Sequence, residues 1–195
     1  DRSRLDQLHD LVLAALEQPD LTGLEVRNLV ERRRAEAVRL AGGDRAVAER
    51  IAHAPRTYLF AQDAADVARQ AALLEPLPSS GRARAEVSPL EDAATAASPT
   101  VAAEPELATA PRGHEWRVEV ASRDRPGLLA TVSGVLSDAG LSVQDAVVAT
   151  WADGGALDSF RVLPTKRTPP DADALAAAIV EAFDRPLEAP PTPGA

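Results

Sequence analysis

The spacing of apolar residues changes at Glu115, and a chain that does this must build a helical part and a sheet-bearing part. Upstream, apolar residues recur every three or four positions. Leu5, Leu8, Val12 and Leu16 form one such stripe, and Val26, Leu29, Val30, Arg33, Ala37 and Leu40 form a second. Pro19 and Asp20 end the first helix and cap the next. Gly42 and Gly43 stop the second, and Asp44 caps a third that carries Val47 and Ile51 inward. Pro55 interrupts the pattern, and Tyr58, Leu59 and Phe60 form a short apolar anchor. Asp63 caps a helix running to Leu74 with Val67, Ala68, Ala71 and Leu74 on one side. Asp66 adds negative charge where the helix dipole favours it.

Downstream, Trp116, Val118 and Val120 alternate with Arg117 and Glu119, the period of a half-buried strand. The run Arg123-Asp124-Arg125-Pro126-Gly127 is a turn. Leu128, Leu129, Val132, Val135, Leu136 and Ala139 then share one helical face, and Gly140 stops that helix. Leu141 to Trp151 is rich in β-formers. Leu141 and Val143 have one parity and Val148 the other, so all three are buried only with a bulge near Gln144–Asp145 or with both faces covered. Asp153-Gly154-Gly155 turns the chain into a returning strand, Ala156 to Leu163, with Phe160 and Val162 inward. Asp171 caps a last helix with Leu175, Ile179, Ala182 and Phe183 on its apolar face. The order β-α-β-β-α is the core of a ferredoxin-like fold, with helices on one sheet face and the other left for a partner.

Between the two parts, residues 78–114 are dominated by Ala, Pro, Ser, Thr and Glu. Such a stretch lacks the apolar area to offset the entropy of ordering it, so it is expected to be a disordered linker. The expected division is a helical region at 1–77, the linker at 78–114, a sheet-bearing domain at 115–187 and a disordered tail at 188–195. The fold class is α+β.

Composition removes several function classes. There is no cysteine, which excludes disulfides and thiolate zinc sites and fits a cytoplasmic location. Net charge is −9 over 195 residues, and residues 115–195 carry seven basic against twelve acidic side chains. That unit is a poor partner for nucleic acid or an anionic membrane. Arg32-Arg33-Arg34 is flanked by Glu31 and Glu36 and reads as a solvated helix face. No apolar run is long enough to span a bilayer. His9, His53 and His114 are isolated, so no metal site is expected; His53 sits at a helix C-terminus, where a cation is favoured. No Gly-x-Ser-x-Gly elbow or phosphate-cradling glycine loop occurs, and no catalytic residue is expected.

Three stretches go further: Arg123-Asp124-Arg125-Pro126-Gly127-Leu128-Leu129, Ala139-Gly140-Leu141-Ser142-Val143 and Asp153-Gly154-Gly155-Ala156-Leu157-Asp158-Ser159-Phe160. Together they resemble an ACT domain. The last is similar to the ACT domains at the C-terminus of bacterial bifunctional PII uridylyltransferase/uridylyl-removing enzymes. Ala54-Pro55-Arg56-Thr57-Tyr58-Leu59-Phe60 with Asp63 to Leu74 resembles that family's segment between its HD domain and first ACT domain. The family's Gly-Ser and Asp-x-Asp nucleotidyltransferase motif, its HD metal ligands and its second ACT domain have no counterpart here. The chain therefore reads as a truncated regulatory end, with enzymatic activity left open.

The resemblance implies a small amino-acid effector, with glutamine the choice, and nitrogen regulation through the PII signal protein. It also implies pairing with another ACT domain. It implies magnesium for the catalytic parent and no cofactor for this chain. A stand-alone ACT amino-acid-binding protein is the alternative. The expected ligand site is the turn Asp124, Arg125, Gly127, Leu128 and Leu129, with Ser122, Ser142 and Asp145 beside it. Amides at the start of the helix would hold a carboxylate, and Asp124 would take the ammonium or else cap the helix. Asp145 faces either a ligand or a bulge amide. Asp158 shares parity with Phe160 and needs a partner; the amides of the 153–155 turn are the nearest, which gives it a structural role.

Overall fold

A computed structural model describes residues 19–90, 115–166 and 169–184. The expected helix over Leu5–Leu16, most of the linker, the tail, His9 and His114 lie outside these residues. The chain divides into two compact units, one up to Glu75 and one from Pro76 onward.

In the first unit the helices are α1 (Pro19–Leu40), α2 (Arg45–Ala52), α3 (Arg56–Ala61) and α4 (Ala64–Leu74). Asp44 and Asp63 cap as expected, Asp44 accepting from the amides of Ala46 and Val47 and Asp63 from that of Asp66, whereas Asp20 falls within α1, which begins at Pro19. Val30, Ala37, Val47, Ile51, Leu59, Val67, Ala71 and Leu74 are buried as the spacing requires. Leu40 departs from that stripe and is 46% exposed, because the helix has run past the elements it packs on. The anchor at Tyr58–Phe60 is itself helical. Tyr58 donates its hydroxyl proton to the buried Gln70 Oε1 at 2.6 Å. The basic cluster is divided by geometry. Arg34 pairs with Glu31 at 2.7 Å, whereas Arg33 reaches the carbonyls of Leu59 and Phe60 near the end of α3.

The second unit is a four-stranded antiparallel sheet with two helices: β1 (Ala83–Pro89), β2 (Trp116–Arg123), α5 (Leu128–Asp138), β3 (Leu141–Thr150), β4 (Gly155–Pro164) and α6 (Ala172–Asp184). The strand order is β1-β2-β4-β3. β1 corrects the expected linker. Ala83, Ala85 and Val87 alternate with Arg84, Glu86 and Ser88, a strand period hidden by short side chains. They pack against the core formed by Val118, Val120, Phe160, Val162, Ile179 and Phe183. Gly81, at φ 77°, turns the chain into this strand, and Arg82 reaches Asp184 of α6 at 2.9 Å. A proline at the last β1 pair is tolerated because β1 is an edge strand.

The bulge expected near Gln144–Asp145 is present, between Val143 and Asp145. It does not bury both parities. Val143 and Val148 are exposed, because β3 is the other edge of the sheet. Leu129 and Ala139, expected on the buried face of α5, are also exposed, leaving Leu128, Val132 and Leu136 to fill the core. The opposite sheet face is not bare: Ala121, Ala149, Trp151 and Leu157 are buried there.

Candidate functional site

The register of β2 on β4 sets the floor of the site. Val120 lies opposite Asp158, and Ser122 opposite Ala156. The strand period therefore puts Ser122 and Asp158 on the helix-covered face, one step apart across the ladder. β2 then leaves the sheet. The amide of Asp124 donates to the carbonyl of Gly154 at 2.8 Å, which ties this exit to the β3–β4 hairpin.

The turn itself follows from its sequence. The Leu128 amide donates to the Arg125 carbonyl at 3.3 Å, with Pro126 and Gly127 as the central pair. Gly127 sits at φ 80°, ψ 3°, as the third residue of a type II turn requires. Exchanging Gly127 for Ala is expected to cost the unit about 1–2 kcal/mol, the strain of a left-handed residue carrying a Cβ. Thermal unfolding followed by tryptophan fluorescence would read this directly, because both tryptophans, Trp116 and Trp151, lie in the second unit. An unchanged transition would mean that the turn relaxes.

Gly127 occupies the cap position of α5, and no side chain caps this helix. Asp124 is therefore not its cap. The Thr131 amide is used by the Gly127 carbonyl. The amides of Leu129 and Ala130 have no partner among the described residues. They are the unsatisfied donors that carry a helix's positive end.

Beside them is a cavity of about 190 Å³. One wall is the turn and the start of α5, from Asp124 to Ala130. The other is Val148 and Thr150 of β3 with Ala156 and Asp158 of β4. This is smaller than the roughly 300–1,000 Å³ of drug-sized sites. It is lined by two carboxylates, by Arg125 and Thr150, and by apolar side chains. Leu129 and Val148 are 45% and 49% exposed at its rim.

Asp158 corrects the expectation of a structural role. It is 1% exposed, and among the described residues neither carboxylate oxygen has a hydrogen-bond partner. Of the hairpin amides that were to satisfy it, that of Gly155 donates to Asp153 Oδ1 at 3.1 Å and that of Gly154 to the Trp151 carbonyl at 3.0 Å. Burial, and then the nearby Asp124 carboxylate, push the Asp158 carboxyl up to about 7. The buried Ser122 hydroxyl is likewise without a partner. Arg125 does not neutralise the acids. Its Nη1 donates to the Phe183 carbonyl at 3.3 Å, and its guanidinium lies 4.7 Å from the centre of the Phe183 ring. It fastens the turn to the end of α6.

The expected site residues thus separate. Asp124, Arg125, Gly127, Leu128 and Leu129 line the cavity; Ser122 is buried opposite Ala156 and does not line it. Ser142 and Asp145 do not join them. The helix carries the chain back across the sheet, so β3 starts at the far end, where Leu141 lies opposite Pro164. Ser142 is exposed and accepts from Gln144 Nε2 at 3.1 Å; Asp145 is exposed opposite Arg161. The β3 residues that reach the cavity are Val148 and Thr150, near the end of the strand. Asp158 was the residue missed. Its parity with Phe160 signalled burial, but only the structure shows that nothing satisfies it.

Among the described residues no group of three or more His, Asp or Glu side chains could hold a metal ion. No described helix is long and apolar enough to cross a membrane.

The ACT domain family matches residues 116–180. The chain is 47% identical over 45 residues to the bifunctional uridylyltransferase/uridylyl-removing enzyme of Rhodospirillum rubrum. That match covers 23% of this chain and 5% of the enzyme. No solved structure matches. Residues 116–180 match the ACT domain family, and the chain is similar over a short stretch to a uridylyltransferase/uridylyl-removing enzyme.

Proposed function

We propose that this chain is the amino-acid-sensing regulatory region of a PII uridylyltransferase/uridylyl-removing enzyme, with glutamine as effector in nitrogen regulation in the cytoplasm. One observation carries the reading. A small cavity has unpartnered amides of Leu129 and Ala130 on one wall and the carboxylates of Asp124 and Asp158 at its boundary. An α-amino acid supplies both complements, a carboxylate for the amides and an ammonium for the acids. Glutamine rests on the likeness to the enzyme rather than on the shape of the cavity.

Sensing requires that the effector favour one arrangement of domains over another. The rim fits that requirement. Leu129 and Val148 are exposed at the rim beside the open edge of β3, where a second ACT domain would pair. Occupancy of the cavity beneath that rim then biases the pairing, and through it the modification of the PII protein.

Calorimetry on the full chain with the twenty amino acids tests the reading. Glutamine is expected to bind, and Asp124→Ala to weaken it about tenfold or more, the loss of one charge-assisted contact. If no amino acid binds, sensing is excluded and only a packing role remains.

A further inference from the structure

A cavity bounded by two carboxylates must distinguish an amino acid from any other small carboxylate. Asp124 is exposed at the mouth, where water competes for it. Asp158 is at the bottom, and water does not reach it. Among the described residues no cation pairs with it. From β2 it faces Val120 and Ser122, and from β3 Val148 and Thr150. The first residues of α5 that line the cavity, Leu128, Leu129 and Ala130, are uncharged. From the turn it meets the like charge of Asp124; Arg125 also lines the cavity, but its guanidinium lies over the Phe183 ring with Nη1 on the Phe183 carbonyl, and its Nε and Nη2 have no hydrogen-bond partner among the described residues. A buried carboxylate with both oxygens unused is costly unless a partner arrives or a proton stays on.

We propose that Asp158 seats the ammonium group of the ligand, that the pocket thereby selects α-amino acids over their des-amino analogues, and that a proton leaves Asp158 as the ligand enters. This rests on the sensing role proposed above. In the empty pocket the carboxyl keeps its proton up to about pH 7. An ammonium hydrogen-bonded to it requires the ionised form, so loading transfers that proton to solvent. The ligand's own ammonium stays protonated throughout this range. Charge balances: one proton leaves the acid, and one cation takes its place.

The pH dependence follows. Below about pH 7 each ligand must displace a proton, so affinity falls on acidification. The ionised fraction at pH 5.5 is on the order of 30-fold smaller than at pH 8, and binding should weaken by a similar factor.

The test uses L-glutamine as probe and the full chain. Titration calorimetry at pH 6 in buffers of different ionisation enthalpy counts the protons released. About one per glutamine is expected at pH 6 and close to none at pH 8.5. Asp158→Asn should abolish the release and weaken glutamine at least tenfold. Glutaramate, which is glutamine without its amine, should bind the wild-type chain at least tenfold more weakly than glutamine and be indifferent to the substitution. Tryptophan fluorescence of the variant confirms that the unit is folded. Glutamine binding without proton release, or equal binding of glutaramate, overturns the role of Asp158 and leaves sensing intact. Failure of every amino acid to bind the wild-type chain removes both.

Discussion

Replacing Asp158 with Asn is expected to stabilise the ACT unit at pH 8 relative to pH 4 by on the order of 3–4 kcal/mol. The sign follows from linkage. In the unfolded chain this carboxyl has its ordinary value of 3.8, and in the folded unit it is pushed up to about 7 by burial and by Asp124. Below about pH 4 it is protonated in both states and contributes no difference. Between about pH 4 and 7 the unfolded chain gives up a proton that the folded chain retains, so folding loses stability as pH rises. Above 7 the full penalty is present and constant. A shift of about three units at 1.36 kcal/mol each sets the magnitude.

Asn has nearly the same shape and also buries a polar group, so comparing the two pH values isolates the cost of charge. Denaturant unfolding of both chains at the two values, read through Trp116 and Trp151, would settle it. Parallel wild-type and variant curves across this range would mean that Asp158 is solvated or paired, and the site would lose its buried acid. Such a residue is a recognised mark of function: a local cost retained because a ligand relieves it.

Removing the strand that precedes the family match is expected to have an effect of similar size. A fragment covering residues 110–195 contains all of the matched span but lacks β1. It should unfold at markedly lower denaturant than a fragment covering 76–195, or fail to fold cooperatively. Seven residue pairs join β1 to β2, and Ala83, Ala85 and Val87 cover the same core as Phe183. Without β1, the edge of β2 is open, and one side of α6 loses its cover. Alanine and valine contribute little area each, so several kcal/mol from such a strand would come chiefly from closing the sheet over Val118 and Val120. Equal midpoints for the two fragments would show that β1 is an accessory edge. Binding experiments on an isolated ACT unit therefore need the chain from Pro76 onward.

The parts legible in the sequence share one physical character: each is fixed by residues near one another along the chain. The caps at Asp44, Asp63 and Asp171, the Pro126-Gly127 turn and the Gly154 hairpin are local geometry. The stripes Val118–Val120, Leu128–Val132–Leu136 and Leu175–Ile179–Phe183 are periodicity. So was the position of the turn that faces the cavity.

What only the tertiary structure decided depends on register and on which elements become neighbours. Composition made 83–89 look like linker, because Ala, Arg, Glu and Ser carry little apolar area. Its strand forms since β2 offers an unpaired edge and α6 a surface to lie against. Ser142 and Asp145 went to the far end of the sheet because a helix reverses the chain before β3 begins. Asp158 kept the same parity in either view, but whether a hairpin amide would meet it was a question of ångströms. That amide is occupied, and so a residue expected to be structural stands unsatisfied beneath the cavity. Local sequence sets conformation through short-range sterics and hydrogen bonds, whereas burial without a partner arises only when distant segments close around a group.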